Sequence, residues 1–272
     1  MSTDAHQEWR EWHERRVAAV SGPYGPLAVT GTHWLDDRPD GRIEGLPGLW
    51  TAEGDEVVLR AAAEDGLAVD GAPAAGGPPL SDRRGRYTHR LGPDGGPETT
   101  RVTWGARHLL VLRREGRWAV RAHDPDAAAR RGFAGIEVYP YDERWVRPGL
   151  FRPYAQRRTA LVPNADGQRR SLGLAGELAF IVAGDEHTLQ VAVEGDGSLW
   201  AVLADATSGT DSYRFRFLRP SAPAEDGTVT VDFNRTLLPP CAFADHFLCP
   251  FPPPGNTLPF ALRAGERNRI DH

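Results

Sequence analysis

Short polar side chains follow an apolar run at positions 199–204, where they could do chemistry. The run leads into Asp205, Ala206, Thr207, Ser208 and Gly209. Polar side chains directly after a strand can project into a cleft and hydrogen-bond a ligand, although Asp, Ser and Gly also form tight turns through their own backbone. We predict Asp205 as a proton carrier and Ser208 as a ligand-binding residue, with a purely structural turn as the alternative.

The second chemical candidate is an alternating aromatic and cationic segment at 213–217. In a strand, Tyr213, Phe215 and Phe217 would share one face, and Arg214 and Arg216 the other. Two arginines on one sheet face can bind a carboxylate or phosphate, or they can form a solvated outer face. We predict Arg216 as a charge-holding catalytic residue and Tyr213 as a ligand contact.

The stretch 232–266 carries the most unusual residue pattern of the chain. It opens with DFNR at 232–235 and continues through repeated prolines and both cysteines. Proline removes a backbone donor and restricts φ, so this pattern indicates a rigid irregular loop, a kind of segment that is often functional. The predicted catalytic residues here are Asn234, Arg235 and His246. His246 is a second candidate proton carrier, and Asn256 is a predicted ligand contact.

The two cysteines of this stretch leave several interpretations open. Cys241, His246 and Cys249 do not match the usual spacing of zinc ligands, and a fourth ligand would have to come from elsewhere. The alternatives are two buried thiols, a local disulfide, a nucleophilic cysteine beside His246, and a structural metal loop at Cys241 and Cys249. We assign no metal ligand.

His33 and Trp34 form a further candidate pair near the N-terminus. A histidine beside an aromatic residue could bind a ligand, and it could equally be a packed pair at the edge of the core. We predict both as ligand-binding residues. The chain contains no lysine, which excludes Schiff-base mechanisms, and it lacks the G-x-S-x-G, Walker and G-x-G-x-x-G motifs.

Composition bounds the partners of the protein. The 272 residues have a formal net charge of −5 and a pI near 6.0, which gives no general attraction to nucleic acid or anionic lipid. No apolar run approaches the ~20 residues that span a bilayer, and the first twenty residues are polar. We therefore expect a cytoplasmic protein with a small-molecule ligand, no cofactor, no nucleic-acid or membrane partner, and room for a homo-oligomer.

The elements that must position these residues are mainly β. Trp9, Trp12, Arg16 and Val20 recur at three- and four-residue spacing, which predicts a helix over 1–22, ended by Gly22 and Pro23. Short β-rich runs between turn residues then predict antiparallel sandwich or barrel-like sheets. We expect an N-terminal β part at 23–140 and a C-terminal β part at 141–272, packed as one unit, with strands that include 212–219 and a last one at 257–264.

The C-terminal motifs resemble a known family. The letters DATSG at 205–209, DFNR at 232–235, PPCAF at 239–243 and AGE at 264–266 are similar to the bacterial domain of unknown function 1684 family. The resemblance implies a mainly β fold whose N-terminal part is similar to a forkhead-associated sandwich. The phosphothreonine-binding pattern of that domain is not found between Trp34 and Val69, so phosphopeptide binding is not predicted.

The resemblance implies no activity, so function must be argued from the residues. We expect a small-molecule site where the 205–209 loop, Arg216 and the 232–249 loop converge. The protein would bind, or act without a cofactor on, a carboxylate- or carbonyl-bearing metabolite. The alternatives are a non-enzymatic binding or assembly module, in which the same residues act as loop scaffolding, and the structural metal loop.

Overall fold

The computed structural model describes residues 3–74 and 86–272, and these form a mainly β protein with an N-terminal helix. The strands pair antiparallel in every sheet, which confirms the predicted fold class. The chain divides into two compact units. One is Ala19–Gly132, and the other is Phe133–His272 together with the helix residues up to Ala18. The likeness of the first to a forkhead-associated sandwich stays a prediction.

Helix α1 (Thr3–Ser21) begins the described chain, as the three- and four-residue spacing predicts. Trp9 is the buried residue of its first half, with 7% of its surface exposed. No helix among residues 3–74 and 86–272 has both the length and the apolar composition to cross a membrane.

The described residues of the 19–132 unit form nine strands and the short helix α2 (Ala128–Arg131). The strands are β1 (Val29–Trp34), β2 (Leu49–Glu53), β3 (Glu56–Ala61), β4 (Leu67–Val69), β5 (Ala72–Pro73), β6 (Tyr87–Leu91), β7 (Val102–Trp104), β8 (Arg107–Arg114) and β9 (Arg117–His123). They form a six-stranded sheet in the order β1-β9-β8-β7-β4-β5 and a three-stranded sheet in the order β2-β3-β6. Trp50, Leu59, Leu109, Trp118 and Val120 lie in the core of this unit.

The other unit, named here the 133–272 unit, contains eight strands. These are β10 (Phe133–Val138), β11 (Val146–Pro163), β12 (Arg169–Val182), β13 (Asp185–Val193), β14 (Leu199–Leu203), β15 (Arg216–Leu218), β16 (Thr228–Asp232) and β17 (Glu266–Asp271). A six-stranded sheet has the order β15-β14-β13-β12-β11-β16, and β10 pairs with β17. Leu178, Leu189, Leu199, Val231 and Phe233 are buried at the centre of the unit.

Strand β11 is longer than its sequence indicates. Its 18 residues include Pro148, Pro153 and Pro163, which lack the backbone donor of a sheet ladder and predict interruptions. The ladder with β12 does shift its register between Pro153 and Arg158, yet the strand continues on both sides. Pairing with two neighbours, β12 and β16, therefore overrides the local propensity.

Two strand predictions in the C-terminal part need correction. The predicted strand at 212–219 is reduced to β15 (Arg216–Leu218). The strand predicted at 257–264 is wrong, because that stretch is irregular and β17 begins at Glu266. The backbone of the irregular stretch bonds partly to the backbone of 204–206, as when Leu258 donates to Ala204 at 2.8 Å, and partly to side chains, as when Leu262 donates to Asp205. Its apolar residues are nevertheless buried in the core. The stretch therefore has the apolar pattern of a strand in its sequence, although it does not form one.

Candidate functional site

A cavity with a volume of about 980 Å³ lies in the 133–272 unit. It is lined by His6, Tyr139, Pro140, Tyr141, Asp142, Glu143, Arg144, Trp145, Ala261 and Arg263. One wall is thus the connection between β10 and β11, named here the 139–145 segment. A second wall is the irregular stretch before β17, and helix α1 contributes one histidine.

Aromatic rings form much of the cavity wall. The rings of His6 and Tyr141 stack with centroids 5.5 Å apart, and His6 also stacks on Trp9 at 5.9 Å. On the other side, Trp145 stacks on Phe260 at 6.1 Å. Rings held in place by neighbouring rings offer a preformed apolar surface to a planar ligand, because little side-chain entropy remains to be lost.

Four charged side chains stand among these rings. Arg144 forms a bidentate ion pair with Asp142, with nitrogen–oxygen distances of 3.0 and 2.7 Å. The Arg144 side chain is 85% exposed. Hydrogen bonds from Arg144 hold the pKa of Asp142 below its usual value. Arg263 makes only a long pair with Asp211, at 3.5 Å, and is 66% exposed. Arg263 is therefore the lining cation with most of its donors available.

Tyr139 lines the cavity, but its hydroxyl oxygen is enclosed by the protein. Its side chain is 7% exposed, and the hydroxyl has no hydrogen-bond partner among the described residues. The guanidinium of Arg267 lies over its ring at 4.8 Å. A buried donor without a partner costs about 1–3 kcal/mol.

The sequence-predicted residues Asp205 and Arg216 do not line this cavity. They form an ion pair at 2.8 Å, and both side chains have 0% exposure. The predicted arginine face of 213–217 is therefore wrong, since Arg214 is exposed and Arg216 is enclosed. Asp205 also accepts from the backbone and hydroxyl of Thr207, at 2.8 and 2.7 Å, which is the turn predicted as the alternative.

This ion pair holds the chain that carries one cavity wall. Arg216 donates to the carbonyl oxygens of Leu262 at 2.8 Å, Ala264 at 2.6 Å and Glu266 at 3.1 Å. Asp205 accepts from the backbone nitrogen of Leu262 at 3.1 Å. Two buried side chains thus hold the backbone of 262–264, which belongs to no strand. Burial is the largest influence on Asp205 and would raise its pKa, but the charge of Arg216 and the hydrogen bonds from Thr207 and Arg216 together outweigh it, so the net shift is downward.

Asn234 holds the other wall in the same manner. Its side-chain amide donates to the carbonyl of Asp142 at 3.0 Å, and its side-chain oxygen accepts from the Asp142 backbone nitrogen at 3.1 Å. Its own backbone carbonyl accepts from the indole of Trp9 at 2.8 Å. One buried asparagine therefore ties the 139–145 segment and helix α1 together.

Glu266 completes this buried polar framework. It accepts from the backbone nitrogen of Leu238 at 2.6 Å and pairs with Arg16 of helix α1 at 3.1 Å. Burial raises the pKa of Glu266 above its usual value, against the opposing charge of Arg16. The residues typical of the sequence motifs are thus positioning residues for the walls of the cavity.

The remaining predicted residues are dispersed. Ser208 accepts from the backbone of Asp205 at 3.0 Å, and Asn256 is buried between backbone groups of Gln190 and Val202. Arg235 pairs with Asp232 at 3.2 Å and lies 5.7 Å from the centre of the Trp12 ring.

Three further candidates lie outside the cavity lining. His246 is exposed at the tip of the proline-rich loop. His33 and Trp34 belong to β1 of the 19–132 unit, where Arg117 lies 4.7 Å from the centre of the Trp34 ring.

The cysteines lie side by side in a buried aromatic cluster. The backbone nitrogen of Cys241 donates to Sγ of Cys249 at 3.3 Å, and the hydroxyl of Tyr213 lies 3.7 Å from Sγ of Cys241. Both residues are buried thiols. Within residues 3–74 and 86–272, no three His, Cys, Asp or Glu side chains are grouped so as to hold a metal ion.

Sequence reasoning missed the 139–145 segment, which it treated only as the neighbourhood of a domain boundary. The segment YPYDERW contains three aromatic and three charged residues in seven positions. Such a density of rings and charges outside a regular element is the signal that indicates a binding surface. His6 and Arg263 carry no comparable signal, because they reach the cavity only through tertiary structure.

The fold and the motifs define a β protein of an uncharacterised class, and the comparisons with known proteins agree. The profile described as "Protein of unknown function (DUF1684)" matches residues 131–267. The chain belongs to this family. Among solved structures, it is similar to the uncharacterized protein from gene locus rrnAC0354 of Haloarcula marismortui, determined by solution NMR. The two are 26% identical, with a TM-score of 0.42, over 51% of this chain and 77% of the other. No curated protein matches the chain.

Proposed function

We propose that the 133–272 unit binds a small planar molecule that carries a carboxylate or carbonyl group. The observation that carries this proposal is the cavity of about 980 Å³, whose rings are stacked in place and whose walls are held by buried polar side chains. Binding sites for small molecules are commonly concave, largely preformed and lined by aromatic residues with a few placed polar groups.

The rings select for a flat ligand. Tyr141 and Trp145 are each only partly buried and each already stacks against another ring, so they offer a fixed π surface to an incoming molecule. Burial, together with the nearby charges of Asp232 and Glu143, raises the pKa of Tyr141 above 10.0. Its hydroxyl group therefore stays protonated at neutral pH and is available as a donor.

The polar groups select for oxygen acceptors. Arg263 has a guanidinium whose long pair with Asp211 leaves donors available. A ligand carboxylate would take a charge-assisted hydrogen bond from Arg263. Arg144 is less suited to this role, because Asp142 already occupies two of its nitrogens.

The proposal is for binding by these lining residues, with Asp205, Arg216 and Asn234 as positioning residues. The ionised pair of Asp205 and Arg216 is enclosed and cannot exchange a proton with a molecule in the cavity. Its contribution is to keep Leu262 and its neighbours in a geometry that no sheet partner supplies.

Nuclear magnetic resonance titration tests the proposal. Benzoate and indole-3-carboxylate serve as probes, and benzyl alcohol and benzylamine are uncharged and cationic controls. We expect amide shifts at 139–145 and 261–263 with the two carboxylates. Arg263→Gln should weaken benzoate binding about tenfold, the loss expected for one charged hydrogen bond, and leave benzyl alcohol unchanged.

Arg152→Gln is the matched control for this titration, because Arg152 is another exposed and ion-paired arginine of the same unit outside the cavity lining. It should bind benzoate as the wild type does. Millimolar benzoate that shifts no cavity amide, or that binds Arg263→Gln and wild type equally, would refute the proposal.

A further inference from the structure

Cys241 and Cys249 lie in an arrangement that the proposed binding function does not use. Seven residues separate them in sequence, and the backbone nitrogen of Cys241 donates to Sγ of Cys249 at 3.3 Å. Because Cα lies only about 1.46 Å from its own nitrogen, the second sulfur is within reach of the first cysteine's side chain. The chain contains two cysteines in total, and tertiary structure brings them together.

Both sulfurs have hydrogen-bond donors aimed at them. Sγ of Cys249 accepts from a backbone nitrogen, and Sγ of Cys241 lies 3.7 Å from the hydroxyl oxygen of Tyr213. A side-chain hydrogen bond between the two thiols, separate from the one to the backbone nitrogen, is the main cause that lowers the pKa of the Cys241 thiol to about 7, with Tyr213 and the charge of Arg214 acting in the same direction. A substantial thiolate fraction is then present at neutral pH, and the thiolate is the reactive form.

The surroundings are otherwise apolar. Phe215, Phe217 and Phe251 pack around the two cysteines, and the guanidinium of Arg214 lies 4.6 Å from the centre of the Phe251 ring. An apolar environment alone would raise a thiol pKa and make the cysteines inert. The donors to sulfur and the cation at the edge of the cluster distinguish this pair from two space-filling thiols.

We propose that Cys241 and Cys249 are a redox-active dithiol that hydroperoxides oxidise to an intramolecular disulfide. In the first step the Cys241 thiolate attacks one peroxide oxygen, the O–O bond breaks, and the second oxygen leaves as hydroxide and takes up a proton to become water. Cys241 is then a sulfenic acid.

In the second step the thiolate of Cys249 attacks Sγ of Cys241, the S–S bond forms, and the sulfenic oxygen leaves as hydroxide. That hydroxide takes the proton that Cys249 gave up. Two thiols and one hydrogen peroxide thus become one disulfide and two waters. An external dithiol returns the pair to the reduced state by exchange.

The test uses the whole protein and hydrogen peroxide. Titration of thiols should find two before oxidation and none after, and intact mass should fall by two hydrogens with the chain still monomeric in non-reducing gels. Dithiothreitol should restore both thiols. The oxidation rate should rise with pH, with a midpoint near 7, as the Cys241 thiolate forms.

Three variants assign the roles. Cys249→Ser should stop at a sulfenic acid on Cys241 that dimedone traps, whereas Cys241→Ser should keep its thiol at the same peroxide dose. Tyr213→Phe should slow the wild-type reaction severalfold, and Tyr154→Phe, a tyrosine that bonds Glu177 instead, should not. Peroxide that leaves both thiols intact in the folded protein, or that yields only intermolecular disulfides or sulfonic acid, would overturn the proposal.

Discussion

Asp205 and Arg216 form an ion pair at 2.8 Å in which both side chains are fully buried, and the same Arg216 guanidinium also donates to the backbone carbonyls of three alternate residues, Leu262, Ala264 and Glu266. The pair therefore supplies hydrogen bonds to the backbone of the irregular stretch before β17 that a neighbouring strand would otherwise supply. Buried charges of this kind are expensive to leave unpaired, which makes their removal a sensitive test of the structure.

Asp205→Asn should destabilise the protein strongly, because Arg216 would keep its charge in a buried site without a counter-ion. The expected loss in the free energy of unfolding is about 3–5 kcal/mol. Urea denaturation followed by circular dichroism measures it. Glu186→Gln removes one partner of the exposed pair with Arg152 and should change stability little. Equal losses in the two variants would contradict the buried role of Asp205.

The stability contributed by Asp205 should depend on pH in the acid range. Its pKa in the folded protein is below the ordinary value of 3.8, so the folded state binds this proton less readily than the unfolded state. The contribution is therefore fully present above about pH 4 and is lost as the pH falls through the lower, folded-state pKa. The stability difference between wild type and Asp205→Asn should be constant from pH 7 to 5 and narrow below pH 4. A difference that grew on acidification would have the wrong sign.

Asn234→Leu should loosen the 139–145 segment selectively. The substitution leaves the backbone nitrogen and carbonyl of Asp142 without their partners, at about 1–3 kcal/mol for each buried group. Hydrogen exchange at the Asp142 amide should accelerate, and binding of benzoate should weaken with it. Asn268→Ala, which removes longer bonds near the surface, should leave the Asp142 amide protected. An unchanged exchange rate in Asn234→Leu would show that the segment is held by other contacts.

Trp9 should anchor the first half of helix α1. Trp9→Ala removes a buried ring and the hydrogen bond to Asn234, and we expect a loss of about 3–5 kcal/mol. Trp9→Phe keeps much of the ring and should lose about 1 kcal/mol for the hydrogen bond. Limited trypsin digestion should cut Trp9→Ala rapidly at Arg10 and Arg15. Resistance equal to the wild type would mean that the helix is held without Trp9.

Local pattern was sufficient to predict the type of most elements. The helix, the turn at Glu115 and Gly116, where both φ values are positive, and the alternation of short strands and turn residues follow from residue propensities over a few positions. The prediction failed at 257–264, where apolar residues are buried as in a strand but the backbone bonds to side chains distant in sequence.

For the candidate site, the sequence indicates which residues are unusual but does not predict their roles. The sequence predicts catalytic roles for Asp205, Arg216 and Asn234. In the structure each of these side chains instead hydrogen-bonds backbone groups of another segment. An aspartate after a strand reads the same in sequence whether it faces a cleft or an arginine. The role of such a side chain is decided by its hydrogen-bond partner. That partner lies eleven residues away in sequence for Asp205 and 92 residues away for Asn234.

The sequence by itself determined the fold class, the family membership and the irregular course of the proline-rich stretch, because these depend on local composition and motifs. Tertiary structure alone decided that His6, Tyr141 and Arg263 share one cavity and that the two cysteines touch. The physical reason is that a cavity and a buried ion pair form by packing between residues distant in sequence. The type of a residue does not specify which distant residue becomes its neighbour.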